Sequence, residues 1–227
     1  MNNLKKFQTE AEYSAATLNY PAVSWVVSGD TVHFDKSVPT FSGLTAHFNI
    51  NTAGEWLLFN GGGSGSGSGS GGALPSAMIV DGTEVEVSDT YVFDTVGEHI
   101  VNYSFADNQI PDSFMNGNGD KFPHLVGVEI GDAITSIGNE AFYLCGSLTS
   151  CTIGSGVTSI GQTAFNNCTI LTSITSNAIT APTLGDGVFY GVSNNGVLTV
   201  PSGSQGYCGW IGGELPGYWT IEGVTCE

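Results

Sequence analysis

The chain has 227 residues, with 21 Asp plus Glu against four lysines and no arginine, for a formal net charge of -17. Charged residues make up only 11%, and such a surface lacks the cations that would hold a nucleic-acid backbone or an anionic membrane. Hydrophobic residues at 41% and aromatics at 11% argue against disorder over most of the chain.

The first 38 residues read as a short α+β segment. Thr9-Glu10-Ala11-Glu12 is a capping box, with a hydroxyl at the cap and a carboxylate three residues on. A short helix is expected through Tyr13, Ala15, Ala16 and Leu18, stopped by Pro21. Ala22 to Val27, a turn at Ser28-Gly29-Asp30, and Thr31 to Phe34 then read as a β-hairpin. So short a piece needs a partner to bury its apolar side. No Sec-type leader is readable at the N-terminus.

Residues 39–107 are β-rich, with strands expected at 44–50, 55–59, 77–80, 84–87, 91–93 and 98–105. The alternation from His99 to Phe105 is that of a half-buried strand. A small immunoglobulin-like β-sandwich is the simplest packing for this module. Within it lies Gly61 to Gly72, a Gly/Ser tract with nothing apolar to bury. A solvated surface loop, an ordered glycine-rich recognition loop and an inserted linker are the three readings.

Residues 108–227 carry a repeat. Ile134 to Thr152 superposes on Val157 to Thr175 at an offset of 23. Ile137-Gly138 falls on Ile160-Gly161, Ala141-Phe142 on Ala164-Phe165, Cys145 on Cys168 and Leu148 on Leu171. A degenerate copy precedes them (Ile110, Phe114, Leu125, Val128, Ile130), lengthened by Asn116 to Asp120, and another follows (Ile179, Leu184, Phe189, Val197, Val200). The strand spacing L-x-x-L-x-L at a period of 20 to 29 is that of leucine-rich repeats. Stacking is expected to set Phe142 over Phe165 and Leu148 over Leu171 as one continuous core. Thr149, Thr152, Thr172 and Thr175 would then form an uncharged hydroxyl display surface. Residues 197–227, with Tyr207, Trp210, Tyr218 and Trp219, are expected to cap the open end. The fold class expected is mainly β: an N-terminal α+β docking segment (1–38), a small β-sandwich-like module (39–107) and a C-terminal repeat solenoid with a cap (108–227).

TSIGNEAFYLCGSLTSCTI and TSIGQTAFNNCTILTSITS closely resemble BspA-type leucine-rich repeats of bacterial surface proteins and some phage proteins. Residues 5–36, KKFQTEAEYSAATLNYPAVSWVVSGDTVHFDK, resemble a short N-terminal segment of virion proteins from crAss-like and other gut Bacteroidales bacteriophages. That resemblance implies a virion structural protein such as a fibre, spike or decoration, assembled in the bacterial host cytoplasm. It implies docking on other virion proteins through residues 1–38, with Phe7, Tyr13, Trp25 and Phe34 as candidate contacts. A homo-oligomer, a trimer by preference, is implied in the same way, and the hydroxyl- and amide-rich display surface, together with that analogy, suits a host-surface glycan as ligand. A bacterial cell-surface adhesin or scaffold with BspA-type repeats is the alternative.

No catalytic constellation is readable: G-x-S-x-G, P-loop and H-E-x-x-H motifs do not occur. No enzyme, cofactor or metal is expected, nor any nucleic-acid or membrane partner. His33, His47, His99 and His124 are scattered and read as polar strand or rim positions, without a second ligand at metal spacing. Asp81, Glu84, Glu86 and Asp89, and separately Asn116, Asn118 and Asp120, offer calcium-type oxygens. Neither carries a calcium-loop pattern, so both read as solvated charge. Five cysteines, all after residue 144, form an odd set that reads as reduced thiols. Cys145 and Cys168 are expected inside the stack as small core residues. Cys208 and Cys226 could pair in an oxidising space.

Overall fold

The computed structural model describes residues 43–60, 74–118 and 121–226, together with the backbone of strands β1 (Trp25–Ser28) and β2 (Thr31–Phe34). β1 and β2 pair antiparallel, with Trp25 opposite Phe34, as the hairpin pattern predicts. The helix expected after Thr9, the candidates Phe7 and Tyr13, and the Gly61–Gly72 tract lie outside the described residues.

The next six strands are β3 (Leu44–Ile50), β4 (Gly54–Leu57), β5 (Ala77–Val80), β6 (Thr83–Val85), β7 (Thr90–Phe93) and β8 (Gly97–Ser104). The repeat region supplies β9 (Gln109–Ile110), β10 (Leu125–Ile130), β11 (Ser136–Ile137), β12 (Ser150–Ile153), β13 (Ser159–Ile160) and β14 (Ser173–Ser176). β15 (Thr183–Leu184), β16 (Val197–Thr199) and β17 (Thr220–Glu222) complete it. Among the described residues the one helical element is a 3-10 turn at Tyr207–Trp210. No helix there is long and apolar enough to cross a membrane.

Each of the first four coils contributes one longer strand to a large sheet and one short strand to a second, four-stranded parallel sheet of β9, β11, β13 and β15, and the last coil adds β17 to the large sheet alone. In the large sheet β10, β12, β14, β16 and β17 run parallel. The observed pairings Ile137–Ile160 and Cys151–Ile174 reproduce the 23-residue offset. The large sheet does not stop at the repeats. β3 pairs antiparallel with β10, β8 with β3, β5 with β8 and β6 with β5, giving nine strands in the order β17-β16-β14-β12-β10-β3-β8-β5-β6. Four of the six strands from residues 39–107 therefore extend the repeat sheet. The other two, β4 and β7, form a separate antiparallel pair.

One inward row crosses eight strands in register: Val80, Val101, Ala46, Val128, Cys151, Ile174, Leu198 and Ile221. All but Ile221 are buried, and the buried side chains of both regions belong to one cluster. In the last copy Leu198, not Val197, takes the inward place; Val197 falls in the outward register with Ser173. Cys151 fills an aliphatic slot as a small hydrophobe. Ser176 fills another, fully buried, and is satisfied by the Tyr207 hydroxyl at 2.7 Å, which donates onward to the Ala178 carbonyl at 2.8 Å.

The aromatic column forms as expected. Phe142 stacks on Phe165 at 5.0 Å and 16°, Phe165 on Phe189 at 5.5 Å and 13°, and Trp210 ends the column 5.6 Å from Phe189. Backbone ladders set the register of the return loops: Phe142 N–H donates to Ala164, Phe165 to Val188, and Met115 to Ala141. Met115 thus occupies the Phe142 slot. Phe114, expected as the aromatic of the first copy, falls instead in the slot of Ala141 and Ala164.

Two left-handed residues recur in the loops. Ser113, Glu140, Thr163 and Gly187 share one slot at φ between 54° and 64°; Leu144, Asn167 and Gly191 share another at 58° to 77°. A non-glycine residue there costs about 1–2 kcal/mol, which the coil-to-coil bonding offsets. Glycine is required elsewhere by proximity. A Cβ on Gly161 would lie 2.6 Å from the Asn139 nitrogen of the neighbouring coil, and Gly138 and Gly185 are equally tight. We expect Gly161→Ala to push adjacent coils apart and to cost about 1–3 kcal/mol. A fall in the urea midpoint at unchanged m-value is the check; an unchanged midpoint would show that the coils yield freely.

Candidate functional site

The outward face of the large sheet presents two rows. One runs Asn102, Thr45, Glu129, Thr152, Thr175, Thr199 and Glu222; the other runs Ile100, His47, Gly127, Ser150, Ser173, Val197 and Thr220. Side chains alternate along each strand, so the apolar residues between them face the core. Over β12 and β14 both rows are hydroxyl and uncharged, with Thr152 and Thr175 in the first and Ser150 and Ser173 in the second. Thr152 and Thr175, predicted for the display surface, sit side by side in the first row.

Thr149 and Thr172 differ from them. They lie one residue before β12 and β14 and are exposed. The Thr149 hydroxyl donates to the Val126 carbonyl at 2.8 Å, so it serves the coil-to-coil ladder. Thr135, Thr158 and Thr183 make the same bond along the small sheet, to Asn108, Thr135 and Thr158. The hydroxyls of Ser150, Thr152, Ser173 and Thr175 make no side-chain hydrogen bond among the described residues, which leaves them available to a ligand.

The seam between antiparallel and parallel halves is acidic and concave. Gly127 interrupts the second row there, and a groove of about 450 Å³ opens beside it, lined by His47, Asp81, Glu98, Ile100, Glu129 and Ser150 among others. His47 Nε2 lies 3.2 Å from Glu129 Oε1. Asp81 is committed to structure: Oδ2 is 2.6 Å from His99 Nδ1, and Oδ1 accepts the Ile100 N–H at 2.8 Å. That occupation removes the oxygens Asp81 would lend to a calcium site. Among the described residues no three His, Cys, Asp or Glu side chains converge as metal ligands. Asn116 is likewise engaged, donating to Glu140 and capping its own turn at Asn118; Asp120 lies outside the described residues.

Of the strand and rim positions expected for the histidines, His99 takes a strand position, in β8. It points inward and is buried, with Nε2 3.1 Å from the Thr95 carbonyl. Burial lowers its pKa, but the Asp81 hydrogen bond, the Thr95 carbonyl and the Asp81 charge together outweigh that, and the net pKa is raised. The stabilisation is therefore fully present below the unfolded value of about 6.5 and is lost as pH rises through the higher folded value. We expect the melting temperature to fall across that window and His99→Gln to flatten the dependence. Superimposable pH profiles for the two proteins would contradict this.

The remaining candidates fall as follows. Trp25 and Phe34 are cross-strand partners in β1 and β2. His124 meets Trp56 edge-on at 4.3 Å. Cys145 and Cys168 are buried thiols, as expected, each donating to a carbonyl of the preceding coil, Met115 and Phe142. Cys208 and Cys226 are joined by a disulfide, Cα to Cα 5.5 Å, against the reading that all five are reduced. An odd cysteine count is compatible with one bridge because three thiols are consumed by the core.

Residues 120–207 match the BspA type leucine rich repeat region, in 6 copies. That stretch is a BspA-type leucine-rich repeat region. No curated protein and no solved structure matches the chain.

Proposed function

We propose that the chain is a non-enzymatic display protein whose repeat face adheres to a polar surface, with a host-surface glycan as the favoured ligand. The observation that carries this reading is the pair of in-register hydroxyl rows over β12 and β14, held rigidly by the stack beneath. Uncharged hydroxyls lose less on desolvation than charges do and can exchange hydrogen bonds with sugar hydroxyls.

The setting we propose is a bacteriophage virion, as a fibre, spike or decoration protein, with residues 1–38 docking on other virion proteins and a homo-oligomer, preferably a trimer, as the assembly. This setting rests on the resemblance of residues 5–36. A bacterial surface adhesin or scaffold is the second reading, favoured by the BspA-type region and by the Cys208–Cys226 bridge, which suits an oxidising exterior.

The adhesion reading is tested by binding of the full chain to immobilised bacterial surface polysaccharide. Thr152→Val combined with Thr175→Val keeps volume and strand preference while deleting two hydroxyls. We expect at least about tenfold weaker binding, the scale of one or two lost hydrogen bonds, at unchanged melting temperature. Equal binding would overturn the reading. Mass spectrometry of purified virions decides the setting: absence of this chain would leave the surface-adhesin alternative.

A further inference from the structure

We propose that the C-terminal cap is an oxidation-locked closure, in which Cys208 and Cys226 are the chain's one exchangeable pair and Cys145, Cys151 and Cys168 are permanently inert. Three observations combine. First, β17 is the end strand of the large sheet and is bonded along one edge, to β16, over three residue pairs. Its neighbourhood is held further by Trp219, which packs on Gly196 and donates to the Ser193 carbonyl at 2.7 Å, and by Ile221 and Val224, which are only partly buried against the core. Second, the bridge ties the exit of that strand to the turn that plugs the aromatic column. Cys208 lies in the 3-10 turn between buried Tyr207 and buried Trp210, and Cys226 lies just past β17. The loop so closed contains both β17 and Trp219. Third, access separates the five sulfurs. Cys208 and Cys226 are exposed, whereas the other three are buried in the stack.

The inert set is inert for a physical reason. Burial pushes the Cys168 thiol up to about 12, and Cys145 and Cys151 are pushed up as well. The thiolate is the reacting species, so these thiols neither attack nor reshuffle the bridge. An odd cysteine count thus coexists with a single defined disulfide.

The closing step is thiol–disulfide exchange with a disulfide-bearing oxidant. The thiolate of one cap cysteine attacks the oxidant's S–S bond, forming a mixed disulfide and releasing one thiol. The thiolate of the other cap cysteine then attacks the mixed disulfide and releases the second thiol. Two protein thiols lose two electrons, the oxidant gains them, and the two protons pass to the departing sulfurs. In a reducing cytoplasm the cap is closed by packing alone; in an oxidising exterior it is locked.

The test uses the full chain, first reduced with dithiothreitol and then reoxidised with oxidised glutathione. Native-state alkylation after reduction is expected to label two cysteines, 208 and 226. Amide exchange in residues 219–226 is expected to accelerate about a hundredfold on reduction, the scale set by a loop of this length. Exchange in residues 125–176 should stay unchanged, and reoxidation should restore protection in the cap. Cys208→Ser combined with Cys226→Ser should reproduce the reduced state without reductant. Cap exchange that ignores reduction, a uniform rise through all the repeats, or alkylation of a third thiol would each overturn the proposal.

Discussion

Phe165→Ala is expected to destabilise the chain by about 3–5 kcal/mol, the cost of emptying a fully packed aromatic site. Phe165 is wholly buried and stacked on both faces, by Phe142 and by Phe189. In a solenoid, stability is carried by contacts between neighbouring coils, and this one ring serves two such interfaces. Against a total of about 5–15 kcal/mol for an ordinary domain, the loss is a large share. It should be seen as a drop in the urea midpoint. Phe165→Leu should recover much of it, because the slot needs apolar volume more than a ring. A loss below about 1 kcal/mol for the alanine variant would mean that the column is not what holds the coils together.

Phe114→Ala should cost a similar amount, about 3–5 kcal/mol, but by a different route. Alanine is what the equivalent slot holds in the next two coils, at Ala141 and Ala164, so the backbone accepts it. The larger ring is there because the first coil must join the N-terminal strands. Phe114 stacks on Phe59 at 5.3 Å and 9°, and meets Tyr103 and Phe105 edge-on at 5.2 Å each. Around it the Tyr103 hydroxyl donates to the Leu58 carbonyl, and Asn60 bonds the carbonyls of Ser113, Phe114 and Asn116. Removing the ring loosens this junction while leaving the Phe142–Phe165–Phe189 column intact. Unfolding should then become biphasic, with strands β3 to β8 losing protection before the repeats. A single transition at the original midpoint would contradict that role.

The repeat was legible because its information is local. Ile137, Phe142, Cys145 and Leu148 recur at a fixed offset, and a fixed offset dictates which residues stack. In the first coil the insertion after Phe114 is visible in the sequence, but the register on its near side is not. The ladder places Met115 27 residues before Phe142, not 23, so the 23-residue offset does not choose between the adjacent apolar residues Phe114 and Met115. Joining of β3 to β10 left no trace in the sequence. Alternation in Leu44 to Ile50 shows a strand with one buried face, but says nothing of which strand lies beside it across some 80 residues of chain. The same limit hid the His99–Asp81 pair, whose partners are 18 apart and meet only once β8 and the end of β5 are side by side. The face bearing Thr152 and Thr175 followed from strand period alone. That Thr149 spends its hydroxyl on Val126 did not, since only the coil spacing decides it.

One continuous sheet carries the display face, and the pairing of β3 with β10 is where its continuity is tested most directly. Thr45 and Glu129 are opposed outward residues across that pairing, whereas Thr175 is two strands further on. Opposed residues of antiparallel strands lie within disulfide reach, about 4.5–5.5 Å between Cα atoms. Thr45→Cys with Glu129→Cys is predicted to cross-link within the chain on mild oxidation, with the melting temperature kept or raised, while Thr45→Cys with Thr175→Cys is predicted not to. Failure of the first pair to close, or equal closure of both, would contradict the continuous sheet.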